Sequence, residues 1–337
     1  MAKLSQKENF MLVARRQQPE YVPVNAFVPG RAPFMTMADP AVIGTFRSKE
    51  GGYDPWGVHF VTNEETGFAA IPEPGNFILK DVRKWRDVIH KPDFSGFDWE
   101  KAAREDREKY VKDPTQTMFT ISGFGDLFQQ FIGMMGFTEG LCALYEETDE
   151  VAELLDYMLD VAKYVTKNVL DYYKPEGYYL LDDSASKLAP FMSPDLFKEL
   201  FVPRYKQILD MVVERDIPIF YHNCGRCEDF LEPMVEIGVA VWDPAQVQND
   251  LKGIHQKFGC KLAINGGYEY QKPPEWPNVK EEDVRKTVYD KFMDLAPGGG
   301  FIFSGMVQTL DRTDPMVQTV NGWIRDEAFR LSEIVYK

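Results

Sequence analysis

Residues 217–244 read IPIFYHNCGRCEDFLEPMVEIGVAVWDP, and this stretch decides the fold class. Two short apolar runs, IPIFYH and VAVWDP, enclose a segment that has helical spacing and stops at Gly238. Strands that are apolar throughout and are separated by a helix are typical of a parallel sheet covered on both faces. The stretch therefore predicts one strand–helix–strand unit of an α/β protein.

The same alternation extends from about residue 116 to the end of the chain. Four further apolar runs have the length of strands, at residues 117–122, 177–183, 261–266 and 299–304. Longer segments with helical spacing lie between them, at residues 151–173, 193–216 and 283–300. Pro203 predicts a kink in the second of these segments or its division into two helices. Six such units favour a (β/α)8 TIM barrel over an open doubly wound sheet, since no glycine-rich phosphate turn follows the first strand.

The first part of the chain, residues 1–110, differs in character. It is rich in proline, glycine and aromatic residues, as in GGYDPWGVHFVTNEETGFAAIPEPGNF, and it shows no regular alternation. This composition predicts loops and short hairpin strands rather than a second compact domain. We therefore expect a single barrel domain over residues 1–337 with an irregular, loop-rich N-terminal extension.

Composition narrows the class of protein. The net charge of -15 argues against a nucleic-acid partner, because a phosphate-binding surface needs an excess of Lys and Arg. No window approaches 18 consecutive apolar residues, so no membrane-spanning segment is expected. Four cysteines in a chain of this length do not form a disulfide framework, and they suit a reducing, cytoplasmic location. Both a monomer and a homodimer are consistent with the sequence.

The predicted strands end in polar side chains. These are Ser122, Asp182 with Asp183, His222 with Cys224, Asp243, Asn265 and Ser304. In a barrel, functional residues lie at the C-terminal ends of the strands, so these side chains are expected to meet at one cavity mouth. A single residue of this kind more often caps a loop, but six polar strand ends together predict a functional site. Asn265 is expected to bind substrate there.

His222 and Cys224 form the strongest candidate for metal binding. Residues two apart on a strand point to the same side, so an imidazole and a thiolate can reach one ion. Zn²⁺ accepts both ligands, and a catalytic zinc site has three protein ligands and an open position. Cys227 would add a second thiol at the start of the next helix. The alternatives are a redox pair, Cys224 with Cys227, or a hydrogen-bonded strand-end histidine with two buried thiols.

Asp182 and Asp183 are candidate catalytic residues at the end of the strand GYYLLDD. Because side chains alternate along a strand, only one of the two can face the mouth. The inward carboxylate could bind a substrate hydroxyl, act as a general acid or base, or complete a metal site. The outward one is expected to cap the following turn.

Three residues of GGYDPWGVHF, at positions 51–60, are candidates for substrate binding. Tyr53, Trp56 and His59 are suited to holding an aromatic ligand. The alternative is a hairpin that packs over the barrel.

From about residue 115 onward the chain resembles the uroporphyrinogen decarboxylase superfamily, and most closely its corrinoid-dependent methyltransferase branch. The segments that carry the resemblance are LDDSASKLAPFMSPDLFKELFVPRYKQI (181–208), YHNCG (221–225), EIGVAVWDPAQV (236–247), LAINGG (262–267) and GGGFIFSGMVQT (298–309). The resemblance implies a (β/α)8 barrel. Uroporphyrinogen decarboxylation itself is disfavoured, since NAFVPGRAPF offers only Arg31 and FSGMVQ contains no histidine.

The resemblance also implies a metal. The methyltransferase branch holds Zn²⁺ with an H-x-C pair, matched by His222 and Cys224, and with a further cysteine near the last strand. Ser304 stands at that last position, so this chain departs from the pattern. Cys227 or the inward one of Asp182 and Asp183 could replace the missing ligand.

The resulting hypothesis is a methyltransferase that moves a methyl group from a small-molecule donor to a cob(I)alamin corrinoid on a partner protein. A methoxylated aromatic is the first donor to consider, in an O-demethylation. Asp182 or Asp183 would position or protonate the leaving oxygen. The alternatives are a metal-free lyase acting on a non-porphyrin substrate, and a non-enzymatic corrinoid- or tetrapyrrole-binding protein.

Overall fold

The computed structural model describes residues 4–26, 28, 32–44, 46–64, 66–309, 311 and 313–336, and Arg31 lies outside them. A small antiparallel sheet contains β1 (Gly52–Tyr53), β2 (His59–Val61) and β3 (Ile71–Pro72). The main sheet has six parallel strands that follow one another in chain order: β4 (Thr120–Ser122), β5 (Gly177–Leu181), β6 (Ile219–His222), β7 (Val239–Ala245), β8 (Ala263–Gln271) and β9 (Phe301–Gln308).

Helices connect the strands of the main sheet. In chain order the α-helices of the described residues are α1 (Gln6–Ala14), α2 (Trp85–Val88), α3 (Trp99–Tyr110), α4 (Leu127–Met135), α5 (Phe137–Glu146), α6 (Thr148–Asn168), α7 (Pro194–Leu200), α8 (Val202–Val213), α9 (Leu231–Glu236), α10 (Leu251–Phe258), α11 (Glu281–Leu295) and α12 (Pro315–Ser332). Pro203 lies in the first turn of α8, where its missing N–H costs no hydrogen bond, so the predicted division into two helices is confirmed. None of these helices combines the length and the apolar character that crossing a bilayer requires.

Two N-terminal segments continue the parallel pattern at both edges of the main sheet. Val24 forms a parallel bridge with Phe303 of β9. Met35 forms one with Met118, just before β4, and Ala38 forms one with Ile121 of β4. The backbone N–H of Asn25 donates to the carbonyl of Phe303 over 2.7 Å. With six strands and two edge segments, the chain has the eight parallel segments of the predicted (β/α)8 barrel, and this fold class is confirmed. The sequence pattern predicts loops for both segments, whereas the structure pairs them with the edges of the sheet.

The interior of the barrel is filled by alternate residues of the strands, which form a compact apolar cluster. Its members include Phe10, Phe34, Met118, Tyr179, Phe220, Ala263 and Ile302. Phe10 comes from α1, and its ring centroid lies 4.5 Å from that of Phe34 and 5.8 Å from that of Phe220. Arg16, just after α1, donates to the carbonyl of Val239 at the start of β7. Helix α1 therefore closes the N-terminal end of the barrel and leaves the C-terminal end for a cavity.

Candidate active site

A cavity of about 400 Å³ lies at the C-terminal ends of the strands, within the range of small-molecule sites. Its lining comes from β5 to β9 and from the two N-terminal edge segments. It includes Met35, Tyr179, His222, Asp243, Asn265 and Ser304.

Strand alternation decides which polar side chains face the inside of the barrel. Tyr179 and Phe220 belong to the barrel interior, and positions two or four residues farther along point the same way. Asp183 and His222 therefore lie on the inner side of β5 and β6, and Cys224 follows two residues later. Asp182 has the opposite parity and turns toward the helices.

Asp183, His222 and Cys224 form a cluster whose ligand atoms all lie within 4.8 Å of one another. The Cys224 Sγ is 3.5 Å from Nε2 of His222, and that nitrogen is 3.9 Å from Oδ1 of Asp183. The backbone N–H of Cys224 donates to Asp183 Oδ1 over 2.6 Å, which fixes the carboxylate beside the thiol. One nitrogen, one sulfur and one oxygen thus lie close enough together to bind one ion.

Asp243 holds the far side of the His222 ring. Its Oδ1 lies 2.8 Å from His222 Nδ1, while its Oδ2 accepts from Tyr179 Oη over 2.6 Å and from Asn265 Nδ2 over 3.3 Å. An ionised carboxylate only accepts hydrogen bonds, so Nδ1 carries a proton and Nε2 faces the cluster. This is the carboxylate–histidine arrangement that supports metal-bound imidazoles.

The electrostatics of the cluster favour a cation. Burial lowers the pKa of His222, but hydrogen bonds to Asp243 and Cys224 and the charges of Asp243 and Asp183 outweigh burial and raise this pKa to about 11. Burial also raises the pKa of Cys224, although His222 opposes the shift. Without a metal, a proton on Nε2 of His222 lies close to the Cys224 sulfur and the Asp183 carboxylate. A divalent cation would replace this proton.

The donor set fits zinc. Zn²⁺ binds histidine nitrogen, cysteine sulfur and aspartate oxygen, and three such ligands with an open fourth position are typical of a catalytic site. The three side chains of the cluster supply these atoms, and Asp243 supplies the outer carboxylate.

Cys227, the third sequence-predicted metal ligand, does not belong to this cluster. Its side chain is fully buried, and its Sγ donates to the carbonyl of Asn223 over 3.4 Å. Burial raises the pKa of its thiol, which disfavours the thiolate that binds metals. Ser304, at the position where the family pattern has cysteine, lines the cavity. The residue that the structure brings to His222 and Cys224 is Asp183.

Asp182 has a different environment from its neighbour. It is fully buried and accepts hydrogen bonds from the backbone N–H groups of Phe128 and Gln129, each over 2.9 Å, and from the hydroxyl of Tyr205. Burial raises its pKa to about 8, against the effect of these hydrogen bonds. Of the two predicted catalytic carboxylates, Asp182 thus caps the start of α4 and Asp183 faces the cluster.

The predicted substrate-binding residues lie in two different places. Asn265 lines the cavity, whereas Tyr53, Trp56 and His59 do not. Tyr53 is 69% exposed and its ring lies 4.6 Å from that of His59, while the buried Trp56 donates from Nε1 to Gln130 over 2.8 Å. These contacts belong to the small antiparallel sheet and its packing on α4.

Two residues of the site had no role from the sequence alone. In the sequence Asp243 is one of several polar strand ends, and Tyr179 lies within an apolar run. The signal for Tyr179 is its parity, since it lies four residues before Asp183 on the same side of β5.

A solved structure that is similar to the chain shares this fold. The chain is similar to a methyltransferase from Methanosarcina mazei, with 12% sequence identity and a TM-score of 0.59, over 97% of this chain and 100% of that chain. An AP endonuclease of family 2 from Brucella melitensis (10% identity, 62% of this chain and 78% of that chain) has a TM-score of 0.33. A sugar phosphate isomerase/epimerase from Parabacteroides distasonis ATCC 8503 (10% identity, 92% and 97%) has the same TM-score of 0.33. These last two likenesses are too weak to carry an argument.

No curated protein sequence matches the chain. The family model for uroporphyrinogen decarboxylase (URO-D) matches residues 110–304. Because this match covers more than half of the 337 residues, the protein belongs to the uroporphyrinogen decarboxylase (URO-D) family.

Proposed function

We propose that the protein is a methyltransferase that moves a methyl group from a methoxylated aromatic to a cob(I)alamin corrinoid carried by a partner protein. The observation that carries this proposal is the cluster of Asp183, His222 and Cys224, whose His222 lines the cavity, with Asp243 behind the imidazole. Membership of the URO-D family and the fold shared with a methyltransferase support it.

The cluster meets the main chemical demand of O-demethylation, which is to make an aryl oxygen leave. Asp183, His222 and Cys224 would hold Zn²⁺, which when bound supplies a Lewis acid for that oxygen. The methyl carbon would pass to cobalt(I) as the carbon–oxygen bond breaks, and the bonding electrons would leave with the phenolate oxygen. Asp243 would keep His222 oriented through the reaction.

The cavity walls would hold the ring and exclude water. Met35 and Met306 contribute apolar surface, and a volume of about 400 Å³ accommodates a single substituted ring. Met37 and Met306, which are 53% and 51% exposed, lie at the rim. The partner that carries the corrinoid would approach over this rim.

The test combines elemental analysis with a methyl-transfer assay. The purified protein should contain one zinc per chain, and Cys224→Ser should lose it while the matched variant Cys227→Ser keeps it. Zinc-loaded protein, incubated with cob(I)alamin and a panel of methoxylated aromatics, should form methylcobalamin, which is detected by its absorption spectrum. The proposal is wrong if no donor methylates cobalt under strictly reducing conditions. Activity on a non-porphyrin acid without zinc would instead support a metal-free lyase.

A further inference from the structure

Part of the polar lining of the cavity is already hydrogen-bonded within the protein, and its carboxylates are negatively charged groups without a lysine or arginine beside them among the described lining residues. Thr36 already donates its hydroxyl to the carbonyl of Thr120 over 2.7 Å, and Tyr179 donates to Asp243 over 2.6 Å. Asp243 and Glu269 contribute carboxylates, and among the described lining residues there is no Lys or Arg. Two carboxylates are thus available to a ligand, beside the hydroxyl of Ser304 and three further side-chain amides that can also donate.

Asn265 provides an independent sign of a missing donor. Its side chain is 3% exposed, and its Nδ2 donates to Oδ2 of Asp243 over 3.3 Å. Because a carboxylate only accepts, this contact fixes the amide with Oδ1 on the other side. That Oδ1 is buried and has no hydrogen-bond partner within the described part of the chain. A buried acceptor without a partner costs stability, so a donor from a ligand would relieve it.

We infer that the methyl donor carries a hydrogen-bond donor, a hydroxyl or a protonated amine, and no carboxylate, and that Asn265 Oδ1 accepts from this group. The inference rests on the proposed function of the same cavity and narrows its substrate class. A hydroxyl or an ammonium group satisfies Asn265, and the ammonium is also attracted by Glu269, whereas a carboxylate offers Asn265 no donor and is repelled by Glu269.

The test uses four para-substituted rings that differ only in the head group. Methoxytoluene, methoxybenzyl alcohol, methoxybenzylamine and methoxybenzoate are titrated into zinc-loaded full-length protein, and binding is measured by calorimetry without corrinoid. The alcohol and the amine should bind about tenfold more tightly than methoxytoluene, as one hydrogen bond to a buried acceptor allows. The benzoate should bind most weakly. Equal affinities, no binding by any of the four rings, or a benzoate that matches the alcohol would overturn the inference.

Variants test whether Asn265 and Glu269 cause the preference among head groups. Asn265→Leu should bring the alcohol down to the affinity of methoxytoluene, and Glu269→Gln should weaken only the amine. Glu236→Gln, at an exposed position of α9, is the matched control and should change nothing. If Asn265→Leu fails to fold, the ligand series on the wild-type protein still decides. A preserved head-group preference without methyl transfer would count against the proposed function alone.

Discussion

Nδ1 of His222 lies 2.8 Å from Oδ1 of Asp243, and the two residues are register partners on the neighbouring parallel strands β6 and β7. The sheet itself therefore positions the carboxylate behind the imidazole. Because Nδ1 is occupied by this contact, Nε2 is the nitrogen that faces Cys224 and Asp183.

Removing the charge at Asp243 should weaken zinc binding. In Asp243→Asn the ring of His222 loses its ionised acceptor, and we expect the zinc affinity to fall about 10- to 100-fold, the usual effect of losing such an outer carboxylate. Competition with a chromophoric chelator measures the affinity. Asp210→Asn, in an exposed i,i+4 pair with Lys206, is the control and should bind zinc like the wild type. An unchanged affinity in Asp243→Asn would show that Asp243 does not support a ligand.

The two cysteines should behave differently. Cys224→Ser removes a proposed ligand and should abolish stoichiometric zinc, whereas Cys227→Ser should keep it, because Cys227 is buried against Asn223 and lies outside the cluster. Cys227→Ser should instead lower the free energy of unfolding by about 1–3 kcal/mol, since a hydroxyl replaces a buried thiol. Zinc content and urea unfolding of both variants measure the two effects. Loss of zinc in Cys227→Ser would make it a ligand after all.

Zinc affinity should rise with pH. The pKa of His222 is raised to about 11 and that of Cys224 is raised as well, so both ligands carry protons at neutral pH and must lose them when zinc binds. While two protons are displaced, the apparent affinity should increase by up to about 100-fold per pH unit. Chelator competition between pH 6 and pH 9 tests this slope at about unit intervals. A flat profile would mean that the two ligands are already deprotonated.

Much of the fold could be predicted because six strands are marked by apolar runs, and each run overlaps a strand of the main sheet. The two edge segments could not, because Val24, Met35 and Ala38 are held only by isolated bridges in a stretch rich in proline. Their strand character comes from the edges of the sheet that they pair with, which local sequence does not encode.

The site could be predicted only in part, because only some of its contacts are local in sequence. The i,i+2 spacing of His222 and Cys224 is local information, so the sequence alone indicates that the two side chains lie together. The third member depends on which strand lies beside β6, and the parallel pairing of β5 with β6 brings Asp183 there while Cys227 turns into the core. Strand parity separates Asp182 from Asp183 only once the interior residue Tyr179 is known.

Asp182 and Asp183 are adjacent and point to opposite faces of one strand, so substituting each in turn gives two variants that can be compared directly. Asp183→Asn should weaken zinc binding with little change in stability, because Asp183 is partly exposed at the cluster. Asp182→Asn should retain zinc, yet lower the free energy of unfolding by about 1–3 kcal/mol at low pH, because the carboxyl that meets Phe128, Gln129 and Tyr205 is replaced by an amide. Zinc content and urea unfolding distinguish the two outcomes.

The cost of Asp182→Asn should also depend on pH. Burial raises the pKa of Asp182 from 3.8 to about 8, so between these values the folded protein holds this proton more tightly than the unfolded chain does. The contribution of Asp182 to stability is therefore complete at low pH and is lost as the pH rises to about 8. Asparagine does not titrate, so the difference between wild type and Asp182→Asn should shrink over this range. Urea unfolding at several pH values measures it, and a difference that grows with pH would mean that the hydrogen bonds outweigh burial and keep Asp182 ionised.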